Sequence, residues 1–246
     1  MTIHYHGLPL TPDIMLYDLG GQHVCISYAT QRRVQVEIAL RLMQSIMFDN
    51  GAFSIHQQGG TLDVPGFYRW IDPMLGHPNW AVIPDVIGGD VEQQRALLRT
   101  WPFPREFGAP VWHLHLPIDY LLELVDHWPR VCLGSSEKYW QVGSPVWNKR
   151  MTEVAETLYR RRNRAPCLHG LRMMAQGDKG WPLTSVDSVN VARNYKDVEQ
   201  MPSVMAARIN RANSQTVRSF SEPSVDIQRL PIAPPCPIPA PVLAIA

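Results

Sequence analysis

The sequence lacks the segments that direct a protein to a membrane or out of the cell. Its first residues, MTIHYHGLPLTPDIMLYDLGG, contain no basic stretch followed by an apolar core, so no secretory signal is predicted. No apolar run approaches the roughly 18–20 residues that a membrane span requires. We therefore expect a cytoplasmic protein with no membrane partner.

Charged residues of either sign are also few. The 246 residues include 23 basic and 22 acidic side chains, for a net charge of +1. A uniformly basic nucleic-acid-binding protein is therefore excluded, and any phosphate contact must come from local basic clusters.

Cysteine is scarce and widely spaced. The four cysteines, Cys25, Cys132, Cys167 and Cys236, form no C-x-x-C pair and no Cys-His cluster with zinc spacing. The first three lie in short apolar runs, which predicts reduced thiols in the core. No bound metal is expected.

Seven short apolar runs, rich in β-branched residues, end abruptly in polar or small residues, as parallel strands covered on both faces do. The runs are HVCISYA (23–29), SIMFDNG (45–51), WAVIPD (80–85), PVWHLH (110–115), RVCLGSS (130–136), APCLHG (165–170) and LTSVDS (183–188). We assign IMLYD (14–18) as an eighth strand.

Helical periodicity fills most of the gaps between these runs. Residues 34–44, 119–128 and 151–162 carry apolar side chains at three- and four-residue steps. Strand followed by helix, repeated seven or eight times, predicts an α/β protein with a (β/α)8 TIM barrel. A doubly wound sheet is the alternative, but neither a G-x-G-x-x-G nor a Walker loop supports it.

The end of the chain has a different composition. From Pro231 onward, six prolines occur among sixteen residues, which predicts a polyproline-like tail. We place a single barrel domain at residues 1–220 and a Pro-rich tail at 221–246.

The carboxyl ends of the predicted strands supply acidic and histidine side chains. In an α/β barrel these ends form the active-site mouth. The candidates are Asp49, Asp85, His113 or His115, Gly134 with Ser135 and Ser136, His169, and Asp187. A single aspartate there is often a helix N-cap, and a lone histidine is often a core residue. Three carboxylates together instead favour acid–base and nucleophilic chemistry at a glycosidic bond, which needs no cofactor.

Two runs, FDNGAF (48–53) and VDSVNVARN (186–194), bracket four others: IPDVIGG (83–89), WHLHLP (112–117), CLGSS (132–136) and LHGL (168–171). These six segments resemble, in the same order, the segments of the tRNA-guanine transglycosylase family. The resemblance implies a TIM barrel that exchanges guanine in a polynucleotide for a 7-deazaguanine, without ATP or a redox cofactor.

The resemblance also implies roles for individual residues. Asp187 corresponds to the nucleophile that attacks the sugar C1′, Asp49 to the general acid/base, and Asp85 to the carboxylate that binds the guanine N1–H and exocyclic amine. The remaining substrate-binding positions are Phe53 and His169, which would sandwich the base, His115 at its O6 edge, and Gly134 with Ser135 at a main-chain contact.

The chain departs from the family in ways that bear on the substrate. The Cys-x-Cys-x-x-Cys…His zinc motif of the tRNA-acting enzymes has no counterpart after Asn194. The chain therefore resembles the zinc-free branch that modifies DNA in phages and bacteria. Ala52 and Ser54 replace a glycine and a glutamine of the first signature, which indicates a reshaped base pocket. A tRNA substrate, a non-catalytic nucleic-acid-binding barrel and an unrelated barrel hydrolase remain as alternatives, and a homodimer is possible.

Two groups of basic residues offer local contacts for a polynucleotide. The first, on and after one predicted helix, is Arg150, Arg160, Arg161, Arg162 and Arg164. The second, after the proposed nucleophile, is Arg193, Lys196, Arg208, Arg211 and Arg218. We expect DNA contacts in the second group, because solvated helix faces equally explain the first. A base in a duplex would have to be flipped out of its stack.

Overall fold

Parallel strands form a nearly closed barrel, with helices between them along the chain, in the computed structural model, which describes residues 2–161 and 166–215. The strands are β1 (Ile3–Gly7), β2 (His23–Ser27), β3 (Ser45–Asp49), β4 (Trp80–Val82), β5 (Gly108–Ala109), β6 (Val111–His113), β7 (Arg130–Gly134), β8 (Cys167–Gly170) and β9 (Ser185–Ser188). The Pro-rich tail, Arg162, Arg164, Arg218 and Cys236 lie outside the described residues.

The helices follow the predicted periodicity. They are α1 (Arg33–Leu42), α2 (Ala52–Gln57), α3 (Val64–Ile71), α4 (Val91–Leu98), α5 (Ile118–His127), α6 (Pro145–Arg161), α7 (Asn190–Asn194) and α8 (Pro202–Gln215). The three helices predicted from sequence correspond to α1, α5 and α6. In α6 the apolar stripe of Met151, Val154 and Leu158 is buried, as its spacing predicts. Within the described part of the chain, no helix combines the length and apolarity needed to cross a membrane.

Strands β5 and β6 complete the barrel together. Only Pro110 separates them, and β5 pairs with β4 while β6 pairs with β7. Proline has no N–H to donate to a ladder, but the Pro110 carbonyl still accepts the Cys132 N–H at 2.8 Å. Counted as one interrupted strand, they give the eight strands of the predicted (β/α)8 plan.

The prediction of an eighth strand at residues 14–18 is wrong. Residues Asp13–Leu19, which contain IMLYD, form a 3-10 turn, and the missing strand is β1, between β2 and β9. Its sequence, IHYHG, reads as polar because of His4 and His6. Both rings are buried and stacked, with centroids 4.5 Å apart. Burial lowers the pKa of His4 to about 2 and that of His6 to about 4, so both pack as uncharged rings at neutral pH.

The barrel interior is filled by side chains that alternate along the strands. One buried cluster there consists of Tyr5, Cys25, Met47, Trp80, Val82, Ala109, Val111 and Cys132. Cys25 and Cys132 are free and buried, as predicted. Cys167, at the start of β8, is instead half-buried and disulfide-bonded, so the expectation of a reduced core thiol is wrong there.

A hydrogen-bonded group lies within this interior. The Tyr5 hydroxyl accepts from the Trp80 Nε1–H at 2.9 Å and from the Ser45 hydroxyl at 3.2 Å. These bonds connect β1, β3 and β4 across the barrel, where no bulk water is available to replace them. The group therefore supports the layer of side chains that lies beneath the strand ends.

We expect Tyr5→Phe to lower the free energy of unfolding by about 1–3 kcal/mol, because the buried Trp80 N–H loses its acceptor. Urea unfolding measures the change. Tyr17→Phe is the matched control, because Tyr17 is 56% exposed and water replaces any bond that its hydroxyl loses. Equal effects of the two substitutions would contradict the prediction.

Candidate active site

A cavity of about 360 Å³ opens at the carboxyl ends of the strands. Its size falls within the roughly 300–1,000 Å³ typical of small-molecule sites. Asp49 at the end of β3, Asp85 after β4 and Asp187 on β9 all line it. The predicted convergence of three carboxylates at one mouth is confirmed.

Asp187 is held by hydrogen bonds to one of its two oxygens. Oδ1 accepts the backbone N–H of Arg172 at 2.7 Å and lies 3.3 Å from Nε2 of His169, whose Nδ1 is 2.8 Å from the Ser185 hydroxyl. Burial lowers the pKa of His169, so its ring is neutral at pH 7. Within the described part of the chain Oδ2 accepts no hydrogen bond, which leaves it available to bond to carbon.

Asp49 lies beside Ser27 of the neighbouring strand and accepts the Gly51 N–H at 3.2 Å. Burial raises the pKa of Asp49 to about 6, and the negative charge of Asp187 adds to this effect. The Ser27 hydroxyl and the Gly51 N–H act in the opposite direction. Asp49 therefore exchanges a proton near neutral pH, as a general acid/base must.

Asp85 is oriented by two neighbours. Its Oδ1 accepts the Asn50 side-chain N–H at 3.0 Å, and its Oδ2 lies 2.9 Å from Nε2 of His113. Asn50 also donates to the Ile83 carbonyl and accepts the Ala52 N–H, so it links Asp85 to the start of α2. Each carboxylate oxygen has a second lone pair, so Asp85 can still accept hydrogen bonds from a ligand.

An arginine that the sequence analysis did not select completes the mouth. The Arg172 guanidinium carbon lies 3.5 Å from the centroid of the Phe53 ring. The same group donates to the Ser135 carbonyl at 3.2 Å. Arg172 has a φ of 58°, a left-handed conformation that is uncommon for a side chain other than glycine. In this conformation the backbone N–H of Arg172 donates to Asp187.

The structure separates the predicted substrate-binding residues into two sets. Phe53, Gly134 and Ser135 line the cavity. His169 does not, because it lies one step below the strand end and is fully buried behind Asp187. It therefore does not form one face of a base sandwich.

The prediction for His115 is also wrong. The chain turns after β6, where the His113 carbonyl accepts the Leu116 N–H, and this turn takes His115 out of the cavity. His115 lines a neighbouring cleft, where its Nε2–H donates to the Gly89 carbonyl. His113 is the histidine that lines the cavity, beside Asp85.

Only part of the predicted nucleic-acid-binding set is near the mouth. Arg193 lines the cavity, whereas Lys196 is exposed but does not. Arg208 and Arg211 lie on α8, whose last turns reach the amino ends of the strands, where the Asn213 side chain donates to the Thr2 carbonyl. These two arginines therefore do not line the cavity.

The first basic group is structural where it is described. The Arg150 guanidinium donates to the carbonyls of Leu114 and Leu116, and it pairs with Glu153. Arg160 pairs with Glu156 one turn away on α6. Arg161 is an exposed residue at the end of the same helix, which fits a solvated helix face.

Sequence reasoning missed Asn50 and Arg172. Asn50 directly follows Asp49, so its position at a strand end was a usable signal. No comparable signal marked Arg172, because its role depends on a left-handed backbone that side-chain type does not specify.

The raised pKa of Asp49 predicts a pH-dependent stability. The folded state binds the proton more tightly than the unfolded state, whose carboxyl titrates near 3.8. This contribution is fully present below about pH 4 and is lost as the pH rises through about 6. Asp49→Asn has no such proton, so relative to wild type it should gain about 2–3 kcal/mol of unfolding free energy between about pH 4 and about pH 7.

Urea unfolding of both proteins at the two pH values tests this expectation. Asp72→Asn is the control, because Asp72 is exposed at the end of α3 and does not line the cavity. A difference between wild type and Asp49→Asn that does not change with pH would contradict the prediction.

No protein-family model, no curated protein and no solved structure matches the chain. Among the described residues, no group of three or more His, Cys, Asp or Glu side chains is arranged to hold a metal ion.

Proposed function

We propose that the protein is a DNA-guanine transglycosylase, an enzyme that exchanges guanine in DNA for a 7-deazaguanine such as 7-cyano-7-deazaguanine. The observation that carries this proposal is the meeting of Asp49, Asp85 and Asp187 in one cavity, each with different neighbours. Carboxylates whose surroundings separate their protonation are typical of paired acid and nucleophile roles. The choice of guanine and of DNA rests on the resemblance of six sequence segments.

In the first step Asp187 acts as the nucleophile. Its free Oδ2 attacks C1′ of the deoxyribose, and the bond between C1′ and guanine N9 breaks with its electron pair going to the base. Asp49 supplies the proton that the leaving guanine takes up. As the ester forms, Asp187 loses the negative charge that raises the pKa of Asp49, so Asp49 becomes a stronger acid when the proton is needed.

The second step reverses the first with another base. The incoming 7-deazaguanine gives its N9 proton to ionised Asp49, and N9 attacks C1′. The ester bond breaks, its electron pair returns to Asp187, and Asp49 is again protonated. Because every proton and electron pair is returned, the exchange needs no co-reactant.

Asp85 is proposed to select the base. Guanine and 7-deazaguanines present a ring N1–H and an exocyclic amine side by side, and a carboxylate accepts both. Adenine has no N1–H, so it would leave a desolvated acceptor unpaired, which can reduce exchange by roughly 10⁴–10⁵. Phe53 is proposed to stack on the base.

Arg193, at the cavity wall, is the proposed contact for the DNA backbone nearest the reacting sugar. The remainder of the DNA would have to arrive as a single strand or with its target base flipped out, because the sugar C1′ must reach carboxylates that line the cavity. A tRNA substrate and a non-catalytic binding role are the competing assignments.

A single experiment separates these assignments. DNA and tRNA are isolated from cells that co-express the protein with a supply of deazaguanine, digested to nucleosides and analysed by mass. A modified deoxynucleoside supports the proposal, a modified ribonucleoside supports the tRNA substrate, and the absence of both supports a non-catalytic protein.

We expect Asp187→Asn to reduce exchange by several orders of magnitude, because the amide cannot form the ester with C1′. A protein–DNA adduct trapped under denaturing conditions should disappear in the same variant. Asp72→Asn, which changes an exposed carboxyl in the same way, should retain both. Near-normal exchange by Asp187→Asn would rule out the covalent mechanism.

Asp85→Ala should abolish measurable binding of 7-cyano-7-deazaguanine in calorimetry while the protein remains folded. The matched control is Asp90→Ala, because Asp90, five residues on, is the residue that caps α4 through a capping box. Loss of that cap should cost about 0.5–2 kcal/mol of stability and leave the base affinity unchanged. Unchanged affinity in Asp85→Ala would remove Asp85 from base recognition.

A further inference from the structure

The Arg172 side chain covers the aromatic face on which a base would stack. Its guanidinium carbon lies 3.5 Å from the Phe53 ring centroid, which is van der Waals contact. No planar ligand fits between two groups at that distance. A base that stacks on this face of Phe53 must therefore displace the guanidinium first.

Arg172 is held in this position by contacts that can be broken separately from its backbone. The guanidinium donates to the Ser135 carbonyl at 3.2 Å on the other side of the mouth. The backbone N–H of the same residue donates to Asp187 Oδ1 at 2.7 Å. Rotation of the side chain would release Phe53 and Ser135 while the bond to Asp187 remains.

We propose that Arg172 is a gate on the base slot: it covers Phe53 in the empty cavity, the entering base displaces it, and the displaced guanidinium pairs with a phosphate of the target nucleotide. This inference rests on the proposed function. It adds Arg172 to the proposed site, where Arg172, and not His169, contacts Phe53 in the absence of substrate.

Charge supports the second half of this proposal. The negative charges of Asp187, Asp49 and Asp85 all act on the guanidinium, so Arg172, together with Arg193 at the cavity wall, partly balances an acidic cavity. A polynucleotide brings phosphates to the mouth of such a cavity, and a planar guanidinium binds a phosphate through paired hydrogen bonds. Arg172 would therefore exchange an aromatic partner for an anionic one as substrate binds.

The left-handed backbone of Arg172 makes glycine a suitable substitution at this position. Glycine adopts a φ of 58° without strain, so Arg172→Gly removes the side chain and keeps the N–H that Asp187 accepts. Glu137, with a φ of 51°, is the other described non-glycine residue with positive φ, and it is exposed. Glu137→Gly therefore controls for the relief of backbone strain alone.

The test measures two quantities for wild type, Arg172→Gly, Arg172→Lys and Glu137→Gly. Calorimetry gives the affinity for guanine and for 7-cyano-7-deazaguanine as free bases. Exchange kinetics on a guanine-containing single-stranded DNA give KM and kcat. Arg172→Gly should bind the free bases about 2- to 30-fold more tightly, because no cation–π contact has to be broken.

In the same variant the ratio of the KM for DNA to the dissociation constant for free guanine should rise about tenfold, because the loss of the cation–π contact favours both ligands and only DNA loses a charged hydrogen bond to phosphate. Arg172→Lys restores the charge and should return this ratio toward the wild-type value. Glu137→Gly should leave the free-base affinity and the ratio unchanged. Tighter base binding together with a higher ratio is not expected from a residue that only supports the fold.

Each contrary result has a distinct meaning. If wild type binds the free bases and Arg172→Gly binds them no more tightly, the gate is overturned while the proposed function stands. An unchanged ratio of the KM for DNA to the dissociation constant for free guanine overturns the phosphate contact. If neither wild type nor Arg172→Gly binds guanine or 7-cyano-7-deazaguanine, both the gate and the proposed function are overturned.

Discussion

The enclosure of two carboxylates, Asp49 and Asp187, in one cavity is the constraint on which the site depends, because burial and then the charge of Asp187 disfavour the ionised form of Asp49. Both lie at strand ends in one cavity, where water screens their charges poorly. The two carboxylates have different neighbours. Asp187 accepts a backbone N–H and lies beside His169, whereas burial raises the pKa of Asp49 to about 6.

The layers beneath the cavity allow this arrangement to persist. The Trp80 ring contacts the guanidinium of the half-buried Arg130, whose carbon lies 4.2 Å from the ring centroid, and the Trp80 N–H donates to the Tyr5 hydroxyl. The Arg130 cation and the hydrogen-bonded pair of Trp80 and Tyr5 therefore lie below the carboxylates of the cavity. Side chains on both sides of Asp187 are therefore packed before any substrate arrives, so little reorganisation is needed at the carboxylates.

Particular elements explain where sequence reasoning about the fold succeeded. Seven strands were predictable because parallel strands covered on both faces are apolar over their central residues, as β2, β3 and β7 are. The eighth was missed because His4 and His6 make β1 look polar, although burial keeps both rings neutral. Residues 14–18 lie in a 3-10 turn in which Leu16 is buried and Ile14 and Tyr17 are exposed, since apolarity over five residues does not distinguish a strand from a tight helical turn.

The sequence by itself determined the alternation of strands and helices, and with it the convergence of Asp49, Asp85 and Asp187 at one mouth, because parallel strands bring their carboxyl ends together. Only the tertiary structure decided which neighbours complete the site. His113 lines the cavity and His115 leaves it because of one turn, and Arg172 reaches Phe53 because of one left-handed residue. Such choices depend on backbone dihedral angles and on contacts between residues distant in the chain, which local residue patterns do not specify.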